Sequence, residues 1–141
     1  MKNLMLVLAA SLFISVTASA QTPKDLPAKV KTSFDQKFPG TQKVKWSKEN
    51  STEWEAEFKM SGKEYSANYN NDGTWMETEY EISVNEIPIA VSKTLGKEFP
   101  GYKLVESEIS ETAKGKLYEF EIKTGAKKQE VALDENGVIQ K

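Results

Sequence analysis

Two pairs of glutamates are the residues best suited to acid–base chemistry in this chain of 141 residues. They are Glu55 with Glu57 and Glu119 with Glu121. Two carboxylates at a set separation can act as the acid and base of a glycosidase. However, residues two apart on a strand point to the same side, and a solvated sheet face is the usual place for Glu. Because nothing indicates a pocket that would raise one pKa, we interpret both pairs as residues on a sheet face.

The segment 68–79, NYNNDGTWMETE, nearly matches the calcium-loop pattern. Its ligands would be Asn68, Asn70, Asp72 and Glu79, with Gly73 at the sharp turn. Asn replaces the first Asp, the flanks read as strands rather than helices, and the second half of the chain does not preserve the pattern. A hairpin turn explains Asn, Asp and Gly without a metal. We therefore predict no metal site and no cofactor, and keep calcium binding as the alternative function.

Aromatic residues concentrate in the first half of the chain and form either a ligand platform or an aromatic core. They include Trp46, Trp54, Trp75, Tyr65, Tyr69 and Tyr80. We predict that Trp54 and Tyr69 belong to the core, because their alternation matches the buried side of a strand. Met76 and Tyr80 are predicted on the opposite, charged side, where an apolar pair is a candidate for an interaction.

The residue types that are missing exclude several classes of function. The sequence has no His and no Cys, and it also lacks Arg. The usual zinc and copper sites, Ser-His-Asp and Cys-His catalysis, and disulfides are therefore excluded. Without residues 1–20, 18 lysines face 21 acidic residues, a net charge of −3. That balance, with no Arg for phosphate contacts, argues against nucleic acid and anionic membranes. We predict that the protein is not an enzyme.

The N-terminus has the organisation of a secretory signal peptide. Lys2 is followed by an apolar run at 4–16 and by the small residues Ala18 and Ala20. Thirteen residues span only about 20 Å as a helix, less than the ~30 Å core of a bilayer. We predict cleavage after Ala20, a mature chain that begins at Gln21, and a periplasmic or secreted protein with no membrane attachment after cleavage.

A repeat with an offset of 61 residues organises the rest. LPAKVKTSFDQKFPG at 26–40 corresponds to IPIAVSKTLGKEFPG at 87–101. Their matched apolar positions, four apart, are Leu26, Val30, Phe34 and Phe38 and then Ile87, Val91, Leu95 and Phe99. This spacing predicts two amphipathic helices, each with Pro in its first turn and Pro-Gly as its stop.

After each helix the hydrophobic period changes to two, which predicts strands. The strand segments are VKW at 44–46, WEAEFKM at 54–60, YSANY at 65–69, YEFEIK at 118–123 and VAL at 131–133. NNDG at 70–73 and DENG at 134–137 are typical of hairpin turns. The first turn predicts that Trp75 lies on the same face as Tyr69.

These elements predict an α+β fold of two tandem α-β-β-β-β repeats. Together the repeats would form an eight-stranded antiparallel sheet, with two helices on one face and an open, curved opposite face. The predicted boundaries are a signal peptide at 1–20, repeat one at 21–82 and repeat two at 83–141.

This pattern resembles the PepSY-like family of exported bacterial proteins, which is also described as similar to beta-lactamase inhibitory proteins. The resemblance covers residues 24–141 and rests on the helix-closing Phe-Pro-Gly, the strands WEAEFK and YEFEIK, and the Gly-containing turns, in that order and twice. It implies a non-catalytic periplasmic module whose fold relatives bind proteins on the concave sheet or hold peptidases inactive. Because this chain has no Cys, unlike the disulfide-bearing inhibitors, beta-lactamase inhibition is not carried over with the fold.

We therefore predict a monomeric, exported, non-catalytic module that binds an unidentified protein or peptide partner through its open sheet face, with inhibition of the partner as one form of this binding. The predicted partner-binding residues are Glu55, Glu57, Ser66, Asn68, Met76, Tyr80, Glu119 and Glu121. A broad acidic face with a small apolar spot suits a basic protein or peptide better than a small ligand, which would need a deep apolar pocket.

Overall fold

The computed structural model describes residues 22–140. The predicted signal peptide lies outside these residues. Helix α1 spans Ala28–Lys37 and helix α2 spans Ile89–Glu98, with a short 3-10 helix at Val84–Glu86 before α2. The strands are β1 (Lys45–Lys48), β2 (Glu53–Met60), β3 (Lys63–Asn70), β4 (Trp75–Glu81), β5 (Lys103–Thr112), β6 (Gly115–Thr124) and β7 (Lys127–Leu133).

Both helices begin and end where the repeated motif predicts. Pro27 and Pro88 occupy the N-cap positions with extended backbones, one residue before the first helical turn. Phe38 caps the C-terminus of α1, and its N–H donates to the Phe34 carbonyl at 2.8 Å. Gly40 follows in the left-handed region at φ 78°, which a residue without a Cβ adopts easily. Phe-Pro-Gly is therefore a helix stop, as predicted.

Within residues 22–140 the sheet has seven strands in the order β1 to β7, so the prediction of eight strands was wrong for this part of the chain. The second repeat supplies β5, β6 and β7, and in place of a fourth strand Ile139 forms an isolated bridge with Leu133. Gln140 adds one backbone hydrogen bond to the Ala132 carbonyl. After the turn at 134–137, residues 138–140 make these few contacts rather than a ladder like that of β4.

The described residues divide into two compact units. The first unit comprises residues 22–81 and 109–116, and the second comprises residues 82–108 and 117–140. The first unit thus contains β1 to β4, the end of β5 from residue 109, the connection to β6, and the start of β6 up to residue 116.

The core of the first unit is aromatic. Phe34 of α1 lies at its centre, with ring centroids 5.2 Å from Trp46, 5.0 Å from Phe58 and 6.3 Å from Tyr69. The predicted core residues Trp54 and Tyr69 are both buried. These ring pairs are edge-on, the arrangement that brings the positive edge of one ring to the negative face of another. The helix therefore covers the side of the strands that carries the aromatic residues.

Each helix also makes a close backbone contact with the glycine of a hairpin turn. A methyl group built on Gly73, at φ 88°, would lie 2.8 Å from the Lys29 carbonyl oxygen and 2.9 Å from Ser33 Oγ. In the second unit, a methyl on Gly137 would lie 2.6 Å from the Ala90 carbonyl oxygen. Glycine is thus required at both turns by its positive φ and by the proximity of the helix.

We predict that Gly73→Ala destabilises the protein more than Gly62→Ala does. Gly62 has nearly the same φ, 82°, but a methyl there meets nothing within 4 Å, so it isolates the backbone strain. That strain is worth about 1–2 kcal/mol, and the clash at Gly73 should add a further 1–3 kcal/mol, roughly. Urea unfolding of both variants measures the difference. Equal losses of stability would show that the helix does not depend on this contact.

Candidate functional site

Six residues on β2, β3 and β4 form the candidate site, which we name the carboxylate face. They are Glu55, Glu57, Ser66, Asn68, Glu77 and Glu79. The strand register places them in two rows across the three strands, Glu55–Asn68–Glu77 and Glu57–Ser66–Glu79. Because these residues alternate with the core residues Trp54, Ala56 and Ala67, they point away from α1.

Hydroxyl groups supply most of the hydrogen bonds to these carboxylates. Ser110 Oγ of β5 donates to Glu77, Ser66 Oγ donates to Glu79 at 3.4 Å, and Ser47 Oγ reaches Glu55 at 3.5 Å. A hydroxyl satisfies a carboxylate oxygen without neutralising its charge.

Two lysines form ion pairs with glutamates on this side of the sheet. Lys45 Nζ lies 2.5 Å from Glu57 Oε2, and Lys59 pairs with Glu64 at 3.0 Å beyond the face. The face therefore carries four carboxylates, and Lys45 pairs with Glu57 among them. The face is acidic and rich in acceptors.

Electrostatic strain is clearest at Glu55. Burial raises the pKa of Glu55 above its ordinary value, and the charges of Glu57 and Glu49 raise it further. The hydroxyl of Ser47 and the charge of Lys45 act in the opposite direction but do not cancel the rise. The ionised form of Glu55 is thus held less favourably in the folded protein than in water.

A β-bulge between β3 and β4 is the reason that the observed face differs from the predicted one. The register shifts between Asn68 and Tyr69, where Asn68 pairs with Glu77 but Tyr69 pairs with Trp75. Met76 is the extra residue, and it is 40% exposed with its sulfur 3.1 Å from Asn70 Nδ2. Trp75 lies on the face of Tyr69, as predicted. Beyond the bulge, however, the alternation is reversed.

The predicted position of Tyr80 on the open face was therefore wrong. Tyr80 pairs with Tyr65 across the strands, on the same side as the core, and their ring centroids are 5.0 Å apart. Its hydroxyl donates to Glu111 Oε1 at 3.2 Å, and Glu111 pairs with Lys116 at 3.0 Å. Burial, with a contribution from the charge of Glu111, raises the pKa of Tyr80. Tyr80 and Met76 do not form an apolar spot among the carboxylates.

The same bulge turns Glu77 and Glu79 toward the carboxylate face. The sequence analysis did not assign Glu77, or its donor Ser110, to the site. The adjacent apolar residues Trp75 and Met76 interrupt the alternation of β4, and this interruption is a signal in the sequence that is consistent with the bulge.

Glu119 and Glu121 belong to the second unit and are described separately. On β6 they alternate with the buried residues Tyr118, Phe120 and Ile122, so they lie on the other side of the strand, as predicted. Lys128 Nζ of β7 lies 2.5 Å from Glu121 Oε1. In this unit a lysine on the neighbouring strand thus balances one of the two predicted carboxylates.

The calcium-loop pattern forms a hairpin turn. Asp72 Oδ1 accepts the backbone N–H of Thr74 at 2.9 Å, and hydrogen bonds from Thr74 lower the pKa of Asp72. Glu79 pairs with Ser66 of β3. It lies four residues beyond Trp75 on β4, which is about 13 Å from the turn. Calcium ligands lie 2.3–2.6 Å from the ion, so two ligands of one ion lie within about 5 Å of each other. Asp72 and Glu79 cannot both bind one calcium ion in this conformation.

The comparisons with known proteins identify the family. A family model described as beta-lactamase-inhibitor-like and PepSY-like matches residues 14–65 and 53–141. The chain therefore belongs to this PepSY-like, beta-lactamase-inhibitor-like family. The two matches are consistent with two tandem repeats. No curated protein matches the chain.

Solved structures from Bacteroides share the fold. A DUF2874 family protein from Bacteroides ovatus matches with a TM-score of 0.75 and 19% identity, covering 86% of each chain. A BLIP-like protein from Bacteroides fragilis matches with a TM-score of 0.72 and 19% identity, also over 86% of each chain. A structure from Bacteroides eggerthii, described as "putative periplasmic proteins", matches with a TM-score of 0.73 and 16% identity, covering 82% of this chain and 86% of its own. Within residues 22–140, no helix is long and apolar enough to cross a membrane.

We predict that Glu55→Gln makes the protein more stable at pH 7. Because the folded-state pKa of Glu55 is raised, folding favours its protonated form. That stabilisation is complete below the unfolded-state pKa and is lost as pH rises through the folded-state value. The neutral amide avoids this loss, so the variant should gain a few tenths of a kcal/mol to about 1 kcal/mol at pH 7 and nothing below about pH 4.

Urea unfolding at both pH values measures this gain. The matched control is Glu64→Gln, which removes a carboxylate paired with Lys59 on the same side of the sheet and should give no gain. A Glu55→Gln variant that is less stable than the natural chain at pH 7 would contradict the electrostatic description of the face.

Proposed function

We propose that the protein is an exported, non-catalytic binding module that holds a protein or peptide partner on its carboxylate face. The observation that carries this proposal is the concentration of four carboxylates, Glu55, Glu57, Glu77 and Glu79, on one side of β2–β4. A partner that brings positive charge would relieve the repulsion between Glu55 and Glu57.

The family and its fold relatives support a binding role. The family description refers to beta-lactamase inhibitors, and one structural neighbour is described as BLIP-like. Inhibition of the partner is the form of binding that these descriptions suggest. The neighbour described as periplasmic and the signal-like residues 1–20 support export.

The chemistry of the carboxylate face favours binding over catalysis. The chain contains no His and no Cys to act as a nucleophile or as a base near neutral pH. The carboxylates instead accept hydrogen bonds from Ser47, Ser66, Ser110 and Lys45, and Glu55, Glu57 and Glu77, which are only partly buried, leave part of their charge accessible to a partner. The register places Glu77 and Glu79 beyond the bulge, so two strands contribute to the charged surface.

We predict that neutralising the carboxylate face abolishes capture of the natural partner. The test uses a triple variant with Glu55→Gln, Glu57→Gln and Glu77→Gln, together with the natural mature chain, as baits for a periplasmic extract at low and physiological salt. The natural chain should retain a partner that the triple variant loses. The captured amount should also fall as salt rises, because surface charge attraction is screened.

A double variant on α1 is the matched control. Lys31→Gln and Asp35→Asn remove the exposed ion pair on the outer side of the helix in the same unit, where the two charged groups lie 2.6 Å apart. This variant should capture the same partner as the natural chain. A partner lost from the α1 variant but kept by the triple variant would place the binding surface on the helix side and contradict the proposal.

A further inference from the structure

Strand β7 leaves one edge of the sheet open in the second unit. Among the described residues, β6 is the one strand paired with β7, and the C-terminal segment meets only the last two residues of β7. There the Ala132 carbonyl accepts the Gln140 N–H, so the backbone of Ala132 points away from β6. Because this direction alternates along an antiparallel strand, the N–H and C=O groups of Lys128 and Glu130 also point to the open edge. Both residues are exposed.

The charged side chains of β6 and β7 face each other in like-charged pairs. The register places Lys123 opposite Lys128 and Glu121 opposite Glu130. Like charges directly opposite each other on neighbouring strands are destabilising. The ion pair between these strands is diagonal, with Lys128 Nζ 2.5 Å from Glu121 Oε1. The open edge therefore carries one positive and one negative position, each beside a residue of its own sign.

A second copy of β7 complements this edge. If two copies pair antiparallel about Gln129, Lys128 of each copy lies opposite Glu130 of the other, and each facing pair exchanges both of its backbone hydrogen bonds. Across the joined edge, the positive pair of one copy then meets the negative pair of the other. An ammonium group has three donors, so Lys128 can keep Glu121 while it meets the second copy.

The neighbouring registers do not match in this way. A two-fold axis through the joined edge requires that facing residues point to the same side, so the pairing is centred on one residue of β7. Centring on Lys128 would place two lysines opposite each other, and centring on Glu130 would place two glutamates opposite each other. The register about Glu130 would also need the Ala132 carbonyl, which already accepts the Gln140 N–H. Of these three registers, the one about Gln129 pairs opposite charges.

We propose that β7 is a dimerisation edge, through which two copies of this chain pair antiparallel about Gln129. This inference is independent of the proposed function, because the carboxylate face lies on the other unit, and it departs from the monomer predicted from the sequence. Lysines on an edge strand commonly prevent pairing, but the glutamate two residues after Lys128 makes this edge self-complementary. Since the paired stretch is short and exposed, the dimer is weak, reversible and sensitive to salt.

Sedimentation equilibrium of the mature chain at low salt, over about a hundred-fold range of concentration, tests the dimer. The average mass should rise from one chain to two. Lys128→Glu and Glu130→Lys should each raise the dissociation constant about ten-fold or more, because two ion pairs across the edge become two repulsions. Each variant also turns one like-charged pair with β6 into an opposite-charged pair, so both should fold. Circular dichroism and urea unfolding check this.

A rescue experiment tests the register. An equimolar mixture of the Lys128→Glu and Glu130→Lys variants restores opposite charges at both facing positions, and so does the double variant by itself. Both samples should dimerise about as well as the natural chain. The matched control is Lys127→Glu, which makes the same charge change on the other side of the strand and should leave the dissociation constant nearly unchanged. If Lys128→Glu fails to fold, Glu130→Lys and the double variant still decide the test.

Three results would overturn the inference. A natural chain that stays monomeric at every concentration would show that the lysines only protect the edge. A dimer that both single variants retain would use another surface. A dimer that is lost in the single variants, but restored neither in the mixture nor in the double variant, would contradict the pairing about Gln129. None of these results bears on the partner captured by the carboxylate face.

Discussion

The contact between each helix and the glycine of a hairpin turn is the constraint on which the rest of each unit depends. At Gly73 the turn approaches the Lys29 carbonyl and the Ser33 hydroxyl too closely for any side chain to fit between them. This contact holds α1 over one side of β3 and β4, where the Phe34 ring meets the aromatic core. The same arrangement recurs at Gly137 with Ala90. The side of the sheet that each helix leaves uncovered follows from this contact.

The β-bulge between β3 and β4 then determines what the uncovered side carries in the first unit. If Met76 were paired as an ordinary strand residue, strict alternation from Trp75 would place Glu77 and Glu79 beside the core and Tyr80 among the carboxylates. Because Met76 is bulged, both glutamates join Glu55 in the acidic rows, and the Tyr80 ring packs against Tyr65 in a tilted arrangement. Bulges commonly redirect side chains near functional sites, and this one adds two glutamates to the side of the sheet that carries Glu55 and Glu57.

The acidic surface opposes folding to a modest extent. The pKa of Glu55 is raised by burial and by neighbouring carboxylates, and Asn68 Oδ1 is buried without a donor. Neither feature stabilises the folded protein. Functional sites often keep such unfavourable groups because binding requires them. The second unit differs, since Lys128 pairs with Glu121 there.

The sequence by itself determined the local structure of this protein. Pro27 and the Phe-Pro-Gly motifs mark the helix ends, and the Gly-containing turns and the period-two segments locate the hairpins, because each depends on the backbone preferences of a few adjacent residues. The family resemblance followed from the order of these signals. Only the tertiary structure decided that β7 is the last strand of the sheet, which side Tyr80 occupies, and that Glu77 belongs to the site. These features depend on how one strand pairs with the next, and one extra residue reverses the two faces of a strand.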